Sequence, residues 1–116
     1  MQTKINKFED IIAWQKAKHL SLEIYRNFIS LKDFSFRDQI QRASISVMNN
    51  IAEGFERQGD KEFKHFLHIA KGSCGEVRSM LQLALELKYI SNESFRNMYD
   101  ESVEISKILS GFAKTL

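Results

Sequence analysis

The chain has 116 residues, the size of one domain, and 17 Lys plus Arg against 15 Asp plus Glu leave a formal charge of +2, too small to draw it to polyanions by bulk charge. A single cysteine, Cys74, cannot close an intrachain disulfide, Met1 to Glu9 lacks the apolar stretch of a leader, and no apolar run reaches membrane-spanning length, so a reduced, cytoplasmic setting without a membrane partner is expected. Apolar residues at 43% and charged residues at 28% are enough for one core, and the lack of any proline, where average usage would give roughly six, with only five glycines, implies long helices.

Three short stretches carry turn chemistry: Lys32 to Ser35, Gln58 to Asp60 and Tyr89 to Asn92. Each ends in a residue that caps helix N-termini well. They divide residues 1–116 into four segments of a single domain, with helices expected near 9–31, 36–57, 60–89 and 93–115. In the first, Trp14, Ala17, Ser21, Ile24, Phe28 and Leu31 recur three and four apart, one stripe of a helix. Ser35, with Asp38 three residues on, is the expected cap of the second helix. That helix carries two stripes. One reads Phe36, Ile40, Ala43, Val47, Ile51 and Gly54, and the other Ile45, Met48, Ala52 and Phe55. A bundle helix needs an apolar arc of little more than about 100° to reach its own core. The second stripe is therefore assigned to a subunit interface; the alternative is a helix set deeper in a tilted monomeric bundle.

The third helix, expected to start at Asp60, carries Phe63, Leu67, Ala70, Cys74, Val77, Leu81 and Ala84. The fourth, capped by Ser91 or Asn92, carries Phe95, Met98, Ser102, Ile105, Leu109, Phe112 and Leu116. Alternating steps of three and four suit shallow crossing angles, and short linkers force neighbours to run antiparallel. The expected architecture is all-α, an up-down antiparallel four-helix bundle.

Candidate chemistry is sparse. Glu62 and His65 form one Glu-x-x-His pair, but a carboxylate-bridged metal pair needs two such pairs and two more inward glutamates, so no metal and no cofactor is expected. His68 is read as part of a solvated face, and His19 stands alone. Cys74 lies on the core stripe, and Ser73 has no histidine and acid arranged around it, so no catalytic residue and no enzymatic activity is expected. Gly72 and Gly75 each weaken the third helix by about 1 kcal/mol relative to alanine. With Ser79 they leave a smooth strip where another backbone can approach; the alternative is a weakness tolerated in a helix held by its packing. Lys64, Lys71 and Arg78 recur every seven residues as a column about 21 Å long, and Lys71 and Arg78 have no carboxylate three or four residues away. The column suits either phosphates or acids on adjacent helices.

The run Arg42-Ala43-Ser44-Ile45-Ser46-Val47-Met48-Asn49-Asn50-Ile51-Ala52-Glu53-Gly54 carries a family likeness, continued in Lys61-Glu62-Phe63, Phe66-Leu67 and Ala70-Lys71-Gly72-Ser73. Phe8-Glu9-Asp10-Ile11, Ala13-Trp14-Gln15-Lys16-Ala17 and Leu87-Lys88-Tyr89-Ile90 add to it. With these motifs the chain resembles the bacterial four-helix bundle proteins of the 23S rRNA intervening sequence family over nearly its whole length. Cys74-Gly75 departs from the large apolar residue and polar residue expected before Glu76. The resemblance implies a ring-like homo-oligomer, commonly a homopentamer, with no assigned enzymatic activity. It also implies partners among RNA, DNA or nucleic-acid-handling proteins, since relatives serve as accessory subunits of retroelement reverse transcriptases; a pure protein-interaction scaffold is the alternative. The family-motif polar set falls on Asn50, Glu53, Gly54, Ser73 and Glu76, expected to bond across the second and third helices; the alternative is that the two glutamates, off the main apolar stripes, are solvated. Removing either glutamate from such bonds would cost about 1 to 3 kcal/mol.

Overall fold

The computed structural model describes residues 5–116 and contains four helices and no strand among them: α1 (Ile12–Phe28), α2 (Phe34–Glu56), α3 (Asp60–Glu86) and α4 (Asn92–Lys114). Each packs against two neighbours, α1 on α2 and α4, α3 on α2 and α4, so α1 and α3 lie diagonally, as do α2 and α4. Pairs of contacts in reversed sequence order place neighbouring helices antiparallel: Gln39 with Glu76 and Gly54 with Phe66 on α2 and α3, Cys74 with Ser102 and Phe63 with Phe112 on α3 and α4, Lys16 with Glu104 and His19 with Glu101 on α1 and α4. The bundle measures 46 × 23 × 19 Å, a length set by the 27 residues of α3, about 40 Å at 1.5 Å per residue.

The helix ends differ from the sequence reading for local reasons. Phe8–Asp10 is a single 3-10 turn, and Ile11 then takes an extended conformation, so α1 starts at Ile12 rather than near residue 9. The capping residue of α2 is Asp33, not Ser35. Its Oδ1 accepts from the Phe36 amide at 3.2 Å, while Oδ2 accepts from the Tyr89 hydroxyl at 2.8 Å, tying the α1–α2 and α3–α4 turns together. That hydrogen bond to a carboxylate, with burial and the negative charge adding to it, raises the Tyr89 phenol above its ordinary pKa. At the start of α3 the cap is the extended Gly59, which leaves Asp60 and Glu62 in the first turn at the positive end of the helix dipole. Helix α3 ends at Glu86, short of residue 89, because Lys88 adopts a left-handed φ of 60°. The Lys88 and Tyr89 amides then turn back onto the carbonyls of Leu85 and Ala84. Ser91 caps α4 through the Ser94 amide at 3.1 Å.

All seven stripe residues expected on α3 are buried, as are all six on the main stripe of α2. On α1 the core also takes Ala13 and Leu20, outside the expected stripe, while Trp14 and Leu31 sit at its edge. Fully enclosed large side chains from all four helices, among them Phe28, Ile40, Leu67, Leu81, Ile105 and Leu109, form one continuous core. Burying a side chain of this kind contributes about 1.5 to 3 kcal/mol.

Candidate interaction surfaces

The second stripe of α2 is half-buried. Ile45, Met48, Ala52 and Phe55 are each partly covered, Met48 and Phe55 by the core and Phe55 also by an edge-on contact with Phe63. They stand beside an apolar stripe of α1 outside the sequence reading, Leu22, Tyr25 and Ile29, spaced three and four apart. Tyr25 and Ile45 line one groove between the two helices, bordered by the polar Asp38, Gln41 and Arg42. Ile29 is 68% and Phe34 59% exposed, far more than a core contact leaves. The α1–α2 edge is thus an apolar face of this monomer.

The family-motif polar set divides into two groups. Ser73 and Ser46 share a hydrogen bond of 2.9 Å between α3 and α2, and the Asn50 amide donates to the Ser46 carbonyl at 2.8 Å and to its hydroxyl at 2.9 Å. Only the Ser46–Ser73 bond crosses the two helices; Asn50 bonds within α2, to Ser46 one turn before it. Glu53 instead is exposed and pairs with Arg57 on its own helix at 3.0 Å. Glu76, also exposed, meets α2 only through a long contact of 3.5 Å from the Gln39 amide. Neither carboxylate leaves a buried partner behind, so alanine at Glu53 or Glu76 should change stability by no more than about 0.5 kcal/mol in chemical denaturation. Gly54 is buried where α2 crosses α3.

Of the expected cationic column, Lys64 and Lys71 are exposed, whereas Arg78 turns into the seam between α3 and α4. Its Nη1 donates to the Ser106 hydroxyl at 2.8 Å, the Ser102 hydroxyl at 3.1 Å and the Ser102 carbonyl at 3.2 Å. Ser102 in turn donates to the Cys74 carbonyl at 3.2 Å. A guanidinium held by these acceptors is not presented to phosphates, so the column is shortened to its two lysines. Two serines one turn apart on the inner side of α4 were the available signal, but only the helix register aligns them with Arg78. Burial raises the Cys74 thiol pKa, against smaller opposing effects of Ser106, Arg78 and Ser102. Such a thiol is a poor nucleophile.

Gly72 has no internal reason to be glycine. A β-carbon there would meet nothing within 4 Å, and one at Gly75 only Arg78 Nη2 at 3.8 Å. Gly72→Ala should therefore stabilise the protein by about 1 kcal/mol, read from its thermal midpoint. Glu62 and His65 are both exposed, and Glu62 lies 3.7 Å from the Arg57 guanidinium. Among the described residues no three His, Cys, Asp or Glu side chains converge, and no helix is long and apolar enough to cross a membrane.

Comparison with known proteins agrees with the motif pattern. No curated protein matches the chain. A crystal structure of a protein of unknown function from the S23 ribosomal protein family of Bacteroides thetaiotaomicron superposes with a TM-score of 0.83 at 27% identity, covering 89% of this chain and 99% of that one. The model of the 23S rRNA-intervening sequence protein family matches residues 9–111, which include α1, α2, α3 and most of α4. The chain belongs to the 23S rRNA-intervening sequence protein family.

Proposed function

We propose that this protein is a non-catalytic, self-assembling subunit of the cytoplasm that forms a ring-like homo-oligomer, with five copies as the leading expectation, and presents cationic surface to RNA or DNA. One observation carries the reading: a 116-residue domain has an apolar face on its α1–α2 edge and solvent-facing lysines, Lys64 and Lys71, on the helix diagonal to α1. Covering the apolar face with a second copy removes Leu22, Tyr25, Ile29, Ile45 and Met48 from water and leaves the lysines outside. Repetition of the lysines by symmetry multiplies phosphate contacts that one copy supplies too sparsely. The inward turn of Arg78 favours the alternative, a protein-interaction scaffold without a nucleic-acid role, because it thins the cationic column.

Light scattering combined with an RNA-binding titration tests the reading. The expected mass is a multiple of 13.5 kDa. Met48→Asp should dissociate the assembly, because a carboxylate at a closed apolar interface loses its hydration. Ile29→Asp, at a site already exposed to water in the monomer, does the same without disturbing the core. A monomeric mass for the wild type at micromolar concentration overturns self-assembly. Assembly without binding of RNA or DNA at about 50 mM salt, where screening is weak, leaves the scaffold.

A further inference from the structure

The outer face of α3 contains more than the two lysines left from the column. Lys61, Lys64, His65, His68 and Lys71 are all exposed and recur at steps of three, one, three and three. Lys61, His65 and His68 lie on the side of the helix away from buried Phe63, Leu67, Ala70 and Cys74, and Lys64 and Lys71 flank that outer side along one edge of the buried stripe. From Lys61 to Lys71 the row is about 15 Å long, over which one strand of a duplex passes about four phosphates. Gly72 interrupts the same face with open space where a side chain would stand, at a helix-weakening cost that no internal contact explains. Two separate features, a run of donors and a gap in the side-chain cover, thus mark one surface for close approach of an extended polyanion.

Among the described residues none of the three lysines has a carboxylate within 4 Å. On the row's own helix Glu62 is drawn toward Arg57 of α2, whose guanidinium lies 5.1 Å over the Phe66 ring, and Asp60 belongs to the helix start. Two further α2 acids near this end are Glu53, paired with Arg57, and exposed Glu56. On α4, which meets this end through the Phe63–Phe112 ring contact, Lys107 and Lys114 are exposed. Glu104 of α4 pairs instead with Lys16 of α1 at 3.1 Å. Along α3 itself the charged neighbours of the imidazoles are Lys61, Glu62, Lys64 and Lys71. Imidazoles gain or lose their charge between about pH 5 and 8, so a lysine row interleaved with two of them binds phosphates with a proton-dependent number of contacts.

We propose that Lys61, Lys64, His65, His68 and Lys71, with the gap at Gly72, form a phosphate-backbone contact surface for nucleic acid, in which protonation of His65 and His68 strengthens binding. This rests on the nucleic-acid reading above and assigns its surface and its regulation. An apposed phosphate favours the charged imidazole over the neutral one, so binding takes up protons by linkage.

The test is a titration of the wild-type protein with a 30-nucleotide single-stranded RNA, and with DNA of the same sequence, at pH 8 and pH 5.5 over a salt series. Two added contacts should make the slope of log K against log salt more negative by about 1.4, and tighten binding on the order of tenfold at 0.1 M salt. His65→Gln with His68→Gln should abolish that pH dependence and the proton uptake seen by calorimetry in two buffers, while keeping binding at pH 8. Lys61→Gln, Lys64→Gln and Lys71→Gln together should remove binding at both pH values, with helicity by circular dichroism and oligomer mass unchanged. Equal slopes at the two pH values, or pH dependence surviving the histidine substitutions, overturns this inference and leaves the nucleic-acid reading standing. Failure of the wild type to bind RNA and DNA at either pH overturns both. Equally tight binding of polyglutamate of the same length points to an acidic protein partner and overturns the nucleic-acid assignment. A preference for RNA over DNA assigns a role to the 2′-hydroxyl and supports the surface as an RNA site.

Discussion

Replacing Arg78 by alanine is expected to lower the stability of the fold by about 2 to 3 kcal/mol, a fall of roughly 10 °C in the thermal midpoint for a domain of this size. The guanidinium makes three hydrogen bonds to α4, all to Ser102 and Ser106, which are 0% and 8% exposed. Truncation removes the donor from the Ser106 hydroxyl and the Ser102 hydroxyl and carbonyl, and strips the methylene stem from the α3–α4 seam. Arg78→Lys supplies one compact ammonium in place of the planar fork, and should recover about half of the loss. Denaturant unfolding of both variants separates this role from a surface one. A change below about 0.5 kcal/mol for the alanine variant, the usual range for exposed positions, would place the arginine back among the solvated cations.

The same glycine-to-alanine change should have opposite signs at two positions in adjacent helices. At Gly72 nothing opposes the gain in helix propensity. At Gly54 an added β-carbon would lie 2.6 Å from the Phe66 β-carbon, 3.0 Å from Phe63 Cδ1 and 3.4 Å from the Phe63 carbonyl oxygen. The Phe66 β-carbon is fixed to the backbone of α3 and cannot swing aside, so α2 and α3 must separate. Separation disturbs Phe63, whose ring stands edge-on to Phe55 and Phe112 at 6.0 and 5.2 Å. Overpacking of this kind costs about 1 to 3 kcal/mol, occasionally more, and outweighs a propensity gain of about 1 kcal/mol. A net loss of about 2 kcal/mol is therefore expected for Gly54→Ala, and Gly54→Leu should not fold to the native bundle. Melting curves of the Gly54 and Gly72 variants, run side by side, check the sign reversal directly.

These positions also mark how far the sequence reaches by itself. Burial of Phe63, Leu67, Ala70, Cys74, Val77, Leu81 and Ala84 follows from spacing alone, because a 3.6-residue period places them on one side of any helix they form. Four helices joined by short turns follow for the same reason, together with the turn residues. The helix caps were less legible. Asp33 displaces Ser35 because its carboxylate serves the Phe36 amide and the Tyr89 hydroxyl at once, and the second partner is 56 residues away. The polar set likewise divides by geometry: Ser73 reaches across to Ser46 of α2, while Asn50 bonds back to Ser46 and Glu53 forward to Arg57, each one turn away along the chain.

What the sequence determined by itself is the set of helices, the face that each one buries and the family likeness of its motifs, all of which depend on local periodicity and residue identity. What only the tertiary structure decided is which residues meet across helices. Arg78 reads as one of three equivalent cations until the register of α4 against α3 brings Ser102 and Ser106 beneath it. Gly54 reads as one more residue of the inner stripe of α2 until the crossing of α2 and α3 places the Phe66 β-carbon against it, whereas Gly72 has open space beside it. The apolar stripe of α1 joins that of α2 only when the two helices lie side by side, with Tyr25 and Ile45 in one groove. The physical reason is the same in each case: a helix fixes the direction of a side chain about its own axis, but the partner that the side chain meets is fixed by the axial register and separation of two helices, which depend on the packing of the whole core.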